Sequence, residues 1–184
     1  MADRQRVVAA AAGVVTILDT SPVRQGEIER SGQRIRWEEF GAGDRTVLLL
    51  PTWSIVHSDH WRHQVPFLAA DRRVIVFDGL GNGSSDRPVD PGLYGDILFA
   101  DDAVGVLDAC QVGRATVMGA SQGGCWALAL AARRPDRVSS VVFIAPNVPH
   151  QPVNMSTTDV AMAIVARNDA NEQESVEPYD PTSE

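Results

Sequence analysis

The sequence predicts an α/β protein that has a mostly parallel sheet with helices on both faces. Three continuous apolar runs, at residues 47–50, 74–77 and 138–144, are typical of strands buried on both sides. Segments with helical character separate these runs, and strand–helix alternation requires crossover connections between parallel strands. A further strand, at residues 115–118, leads into a glycine-rich turn and then a helix. These observations place the chain in the α/β class.

The first predicted elements are two antiparallel strands. Residues 27–30 and 35–40 flank Ser31-Gly32-Gln33-Arg34, which is the pattern of a β-hairpin. Proline at position 66 is expected to kink the helix in which it lies. The remaining predictions follow in chain order: strand 47–50, helix 61–70, strand 74–77, a loop over 79–91, helix 94–110, strand 115–118, helix 125–134 and strand 138–144.

We divide the chain of 184 residues into three parts. Residues 1–25 are a loosely attached N-terminal extension, and residues 26–150 form the α/β core. Residues 151–184 are predicted to hold a short amphipathic helix over 159–167, followed by a disordered acidic tail. Residues 7–15 form a weak apolar stretch after Arg4 and Arg6 that only partly fits an export signal, so we expect a cytoplasmic location.

Charge and composition exclude several classes of partner. The net charge is −8, but six acidic residues and no basic residue follow Arg167, so the rest of the chain is nearly neutral. A nucleic-acid partner therefore has no electrostatic support. Since no stretch reaches the ~20 apolar residues that a membrane span needs, no membrane partner is expected. His57, His60 and His63 are spaced by three, but a loop and surface position is favoured over a metal site, and no cofactor is expected.

Ser121 is the residue that points most directly to chemistry. It lies in Gly119-Ala120-Ser121-Gln122-Gly123, between a predicted strand and a predicted helix. A serine hydroxyl is a weak nucleophile, which must be held exposed against a base. A tight turn does this, provided that glycine-sized neighbours leave room for the strained backbone. The following helix directs free N–H groups toward the place where an oxyanion would form.

Three motifs in order resemble those of the α/β-hydrolase superfamily, over about residues 27–147. They are Leu48-Leu49-Leu50-Pro51-Thr52-Trp53, the loop Asp78-Gly79-Leu80-Gly81-Asn82-Gly83-Ser84-Ser85, and the turn around Ser121. The resemblance implies a serine hydrolase that acts on an ester or other acyl bond of a small molecule. It implies that Ser121 is the nucleophile and that the backbone N–H groups of Gln122 and Trp53 form the oxyanion hole. Thr52, His57 and Asp78 are candidate pocket residues.

The chain departs from the family pattern at two places. Pro51-Thr52 stands where the family commonly has His-Gly, and proline supplies no N–H. The chain also ends 63 residues after Ser121, whereas the family's acid and histidine usually follow two further strands. His150 is therefore a candidate base, and Asn147 stands where some relatives place the acid. The sequence predicts a hydrolase-type sheet whose C-terminal strands are missing.

Two functions remain open at this point. One is the serine hydrolase, in which a histidine–acid pair supplied elsewhere completes the mechanism. The alternative is a truncated, catalytically silent hydrolase-fold protein, acting as a binding module or produced from a split gene. Missing strands would expose a sheet edge, which predicts pairing with a second copy or with a complementing chain.

Overall fold

The computed structural model describes residues 21–52 and 57–144, together with the backbone of three strands outside them. Short 3-10 helices occur at Ser58–Trp61, Pro91–Leu93 and Pro135–Arg137. The strands and α-helices, in chain order, are β1 (Arg6–Ala11), β2 (Val14–Asp19), β3 (Arg24–Arg30), β4 (Gln33–Phe40), β5 (Thr46–Leu49), α1 (Val65–Leu68), β6 (Arg73–Phe77), α2 (Asp96–Ala109), β7 (Ala115–Ala120), α3 (Gln122–Arg133), β8 (Val138–Ile144) and β9 (Ala163–Ala166).

Seven strands form one sheet in the order β3-β4-β6-β5-β7-β8-β9. The pairs β3–β4 and β4–β6 are antiparallel, and every later pair is parallel. Leu48 at the centre lies beside Ile75 of β6 and Val117 of β7. The predicted hairpin and the predicted, mostly parallel sheet are therefore confirmed. Strands β1 and β2 form a separate antiparallel pair.

The alternation of side chains on β5 divides the core between the two faces of the sheet. Leu48 and Leu50 lie in the cluster formed with α2 and α3, which contains Trp126. Val47 and Leu49 lie in the second cluster, with Trp61, Val65 and other residues near α1. Helices therefore cover both faces, as the continuous apolar strands predicted.

The helix predicted over residues 61–70 is wrong in its extent. The chain instead forms the 3-10 helix Ser58–Trp61 and the four-residue helix α1, which contains Pro66 in its first turn. Proline has no N–H and suits only the start of a helix, so it separates these two elements. The Trp61 indole donates to the Leu50 carbonyl oxygen at 2.8 Å, which fixes the first element against the end of β5.

The helix predicted over residues 159–167 is also wrong, because Ala163–Ala166 is a strand that pairs in parallel with β8. Periodicity does not distinguish a short apolar strand from a helical segment, and the edge of β8 offers unpaired backbone groups to such a strand. The predictions for Trp53, Asn147, His150 and the acidic tail concern residues outside the described ones. In the described part of the chain, none of the helices is both long and apolar enough to cross a bilayer.

Candidate active site at the Ser121 turn

Ser121 forms a sharp turn between β7 and α3. Its backbone angles are φ 52° and ψ −122°, in the left-handed region where a non-glycine residue is strained by about 1–3 kcal/mol. The Ser121 N–H donates to the Ile144 carbonyl at 2.9 Å, and the Ser121 carbonyl accepts from the Gly124 N–H at 2.9 Å. The residue itself is exposed. The backbone is thus fixed while the side chain faces outward, as the sequence predicted for this turn.

Three glycines allow this turn to close. A methyl group on Gly119 would overlap the carbonyl oxygen of Gly123. A methyl group on Gly123 would overlap the carbonyl oxygen of Pro51, and one on Gly124 would overlap the Phe143 ring. Two of the three obstacles are backbone atoms, which cannot move aside without displacing a strand or a loop. The glycines therefore set how closely β7, α3 and the loop after β5 approach one another.

The loop after β5 lies directly against the start of α3. Leu50 joins this loop to β7, since its N–H donates to the Met118 carbonyl at 2.8 Å. Pro51 then contacts Gly123, and Thr52 follows in a half-buried position. The structure therefore brings Thr52 to the side of the turn that carries Ser121. Trp53, predicted as the second oxyanion donor, lies outside the described residues.

Gln122 is the first residue of α3, so its backbone N–H has no acceptor within the helix. Its side-chain Nε2 donates to Oδ1 of Asp96 at 2.7 Å. The indole Nε1 of Trp126 donates to the same oxygen, also at 2.7 Å. The Trp126 ring in turn stacks on Phe99, with centroids 4.1 Å apart. Sequence reasoning missed Asp96, because an aspartate in the first turn of a helix is ordinarily explained by the helix dipole alone.

Asp78 follows β6 and is only 7% exposed. Its Oδ1 accepts from the Ser58 N–H at 2.8 Å, and its Oδ2 accepts from the Ser84 N–H at 2.9 Å. The Ser85 hydroxyl donates to the Asp78 carbonyl oxygen at 2.6 Å. A methyl group on Gly83 would overlap the carboxylate. Asp78 thus joins the loop after β5 to the loop after β6.

His57 begins the turn Ser58–Trp61. Its Nδ1 accepts from the Asp59 N–H at 3.1 Å, so the proton of a neutral ring lies on Nε2. Its carbonyl oxygen accepts from Nδ1 of His60 at 2.9 Å. Burial lowers the pKa of His60. Within the described ranges, no group of three or more histidine, cysteine, aspartate or glutamate side chains is placed to hold a metal ion.

A cavity of about 610 Å³ opens between the loops that contain His57 and Asp78. Charged side chains of both signs line it, among them Arg36, Asp59 and Arg87. The described lining residues do not include Ser121 or Thr52. The structure therefore brings His57 and Asp78 together at one opening, and Ser121, Gln122 and Thr52 together at another. We place the candidate active site at the second opening, because the exposed hydroxyl lies there.

Comparison with known proteins identifies the family. Residues 45–177 match the model of the alpha/beta hydrolase fold family. This match covers well over half of the chain, and it agrees with the order of strands and helices in the structure. The chain belongs to the α/β-hydrolase fold family.

Individual relatives support the same family. Over 130 residues the chain is 39% identical to a 2-hydroxymuconate semialdehyde hydrolase of Pseudomonas sp. (strain CF600), covering 67% of this chain and 44% of the relative. The solved structure of Est816, described as an N-acyl homoserine lactone degrading enzyme, is 34% identical with a TM-score of 0.58, covering 64% and 44%. Epoxide hydrolase A from Mycobacterium thermoresistibile is 29% identical with a TM-score of 0.61, covering 74% and 42%. The chain spans less than half the length of these relatives.

Proposed function

We propose that this member of the α/β-hydrolase fold family carries the nucleophile of a serine hydrolase that acts on an ester or other acyl bond of a small molecule. The observation that carries the proposal is the exposed Ser121, held at φ 52° against the start of α3. Two relatives are named for small carbonyl compounds, a semialdehyde and a lactone, which supports a carbonyl carbon as the point of attack.

In the proposed reaction the Ser121 Oγ forms a bond to the substrate carbonyl carbon while its proton passes to a base. The carbonyl oxygen becomes an oxyanion, which accepts from the backbone N–H groups of Gln122 and Trp53. The bond to the leaving group then breaks, and the base returns the proton to that group. Water hydrolyses the resulting acyl-serine by the same steps. No metal or organic cofactor takes part.

The base in this proposal is a histidine oriented by an acid. His150 is one candidate, and the pair can also be contributed by a longer form of the chain or by a second polypeptide at the sheet edge. Asp78 is not proposed as the acid, because both of its carboxylate oxygens already accept backbone hydrogen bonds. It is proposed instead to hold the loops that shape the pocket, where Thr52 and His57 contact the remainder of the substrate.

The test is hydrolysis of p-nitrophenyl butyrate and of an N-acyl homoserine lactone by the wild-type chain and by Ser121→Ala. Loss of the nucleophile is expected to lower the rate by roughly 1,000-fold or more. Ser139→Ala, which removes an exposed hydroxyl from β8, is the matched control and is expected to keep the wild-type rate. A rate that persists in Ser121→Ala contradicts the proposal. Absence of hydrolysis with retained ligand binding supports the silent, binding alternative.

A further inference from the structure

A carboxylate on α2 receives two hydrogen bonds from the first turn and a half of α3. Asp96 is exposed and is the first residue of α2, yet its Oδ1 accepts from Gln122 and from Trp126, each at 2.7 Å. The two donors are four residues apart, so they lie on one face of α3. Hydrogen bonds to an ionised acceptor are about twice as strong as neutral ones. A single side chain thus joins the beginnings of two helices beside the Ser121 turn.

The packing around this contact fixes the donor from α3. Trp126 is 3% exposed and stacks on Phe99, with an interplanar angle of 8°. Phe99 lies three residues after Asp96, so the stack and the carboxylate bind the same face of α2 to the same face of α3. A methyl group on Gly79 would meet the Phe99 ring, which shows that this ring is itself held closely by the loop after β6.

The position of Gln122 gives this contact its consequence. The residue directly follows Ser121, whose backbone angles are maintained only if the surroundings hold them. The Gln122 side chain binds Asp96, and its backbone N–H is the proposed oxyanion donor. A restraint on one part of the residue limits rotation of the other. The carboxylate also lies at the N-termini of two helices, where a negative charge is favourable.

We infer that Asp96 is a positioning residue, which holds Gln122 so that its N–H and the Ser121 hydroxyl face the same substrate atom. This inference rests on the proposed role of Ser121. The negative charge of Asp96 is not what positions Gln122, since the bonding requires only an oxygen that accepts two hydrogen bonds. The amide oxygen of asparagine meets that requirement.

The matched variants are Asp96→Ala, Asp96→Asn and Asp101→Ala. Asp101 also joins α2 to α3, through Arg133 at 3.6 Å, but farther along both helices from the turn. Backbone amide exchange is measured for residues 119–126, together with the rate at which a fluorophosphonate labels Ser121. Asp96→Ala is expected to raise exchange and to lower labelling, each by roughly fivefold. Asp96→Asn and Asp101→Ala are expected to match the wild type in both.

Equal exchange in Asp96→Ala and Asp101→Ala overturns the inference, as does failure of Asp96→Asn to restore the wild-type values. If Asp96→Ala does not fold, Gln122→Met removes one donor while leaving the Trp126 bond, and the same rise in exchange is expected. Amide exchange does not depend on a reactive serine. Absence of labelling in the wild type therefore argues against the proposed function, while the exchange data still decide the role of Asp96.

Discussion

Ser121 and Asp78 each follow the carboxyl end of a parallel strand, β7 and β6 respectively, and each stands in a glycine-rich turn. Ser121 is exposed, and its backbone, not its side chain, makes the bonds that hold the turn. Asp78 is 7% exposed, and both of its carboxylate oxygens accept backbone N–H groups. One turn thus presents a polar side chain to solvent, while the other uses its polar side chain to hold two loops together.

The comparison shows that position at the end of a strand does not by itself identify a reactive group. The bonding capacity already used within the protein separates the two cases, since a carboxylate with two backbone donors has a structural role. Glycine serves both turns by close approach. Gly123 admits the carbonyl of Pro51, and Gly83 admits the carboxylate of Asp78. The same sequence signal therefore accompanies a candidate catalytic turn and a structural one.

The largest effect is expected from Gly123→Ala. The new methyl group would overlap the Pro51 carbonyl oxygen, so the loop after β5 must move away from α3. We expect the free energy of unfolding to fall by about 3 kcal/mol or more. Urea unfolding followed by circular dichroism measures this change. Gly113→Ala is the control, because its methyl group would meet no atom within 4 Å. Similar stability of the two variants would show that the turn is not closely packed.

The Asp78 side of the comparison is tested by Asp78→Ala. Loss of the carboxylate leaves the N–H groups of Ser58 and Ser84 without their acceptor in a buried place. The free energy of unfolding is expected to fall by about 2–3 kcal/mol in urea titrations. Asp90→Ala removes an exposed carboxylate that caps the Gly92 N–H, and it is expected to cost about 1 kcal/mol or less. Unchanged stability combined with lost activity in Asp78→Ala would move Asp78 to the functional side.

A gain in stability is expected from Ser121→Gly. Glycine adopts φ 52° without steric cost, so the variant should be more stable than the wild type by about 1 kcal/mol. Ser139→Gly makes the same substitution in strand β8, where ordinary strand geometry gives glycine no advantage, and it should lower stability. Differential scanning calorimetry of both variants gives the comparison. A loss of stability in Ser121→Gly would mean that the Ser121 backbone is unstrained.

The smallest effect concerns pH, at the far end of the Asp78 loop. The Arg34 backbone N–H and guanidinium, at 2.8 and 2.9 Å, hold the pKa of Asp86 below its ordinary value of 3.8. Since the folded pKa is the lower one, the pair stabilises the fold above about pH 4 and loses this effect as pH falls through the folded pKa. The difference in Tm between wild type and Asp86→Ala should therefore shrink below about pH 4. A difference independent of pH from 2 to 6 would contradict this account.

The parts of the fold that follow from local pattern could be predicted. Continuous apolar runs identified β5, β6 and β8, and the glycines around Ser121 identified the turn. These signals are reliable because burial on two sides and a tight turn both restrict which residues fit. The hairpin of β3 and β4 was recognised for the same reason, through its turn sequence and flanking strands.

The rest depends on contacts between residues far apart in sequence. Asp96 and Gln122 are separated by 26 positions, so neither residue announces the other. Strand β9 forms because β8 offers it an edge, and the segment alone resembles a helix. Trp61 is fixed by the Leu50 carbonyl, which replaced a predicted helix by a 3-10 turn. The structural role of Asp78 likewise required the positions of Ser58 and Ser84.

The account's central claim is that the Ser121 hydroxyl is activated, and intact-mass analysis after fluorophosphonate treatment tests it most directly. The reagent bonds its phosphorus to a nucleophilic oxygen and releases fluoride. The account predicts one adduct on the wild-type chain and none on Ser121→Ala. A folded wild-type chain that gains no adduct, or an adduct that persists in Ser121→Ala, would contradict it.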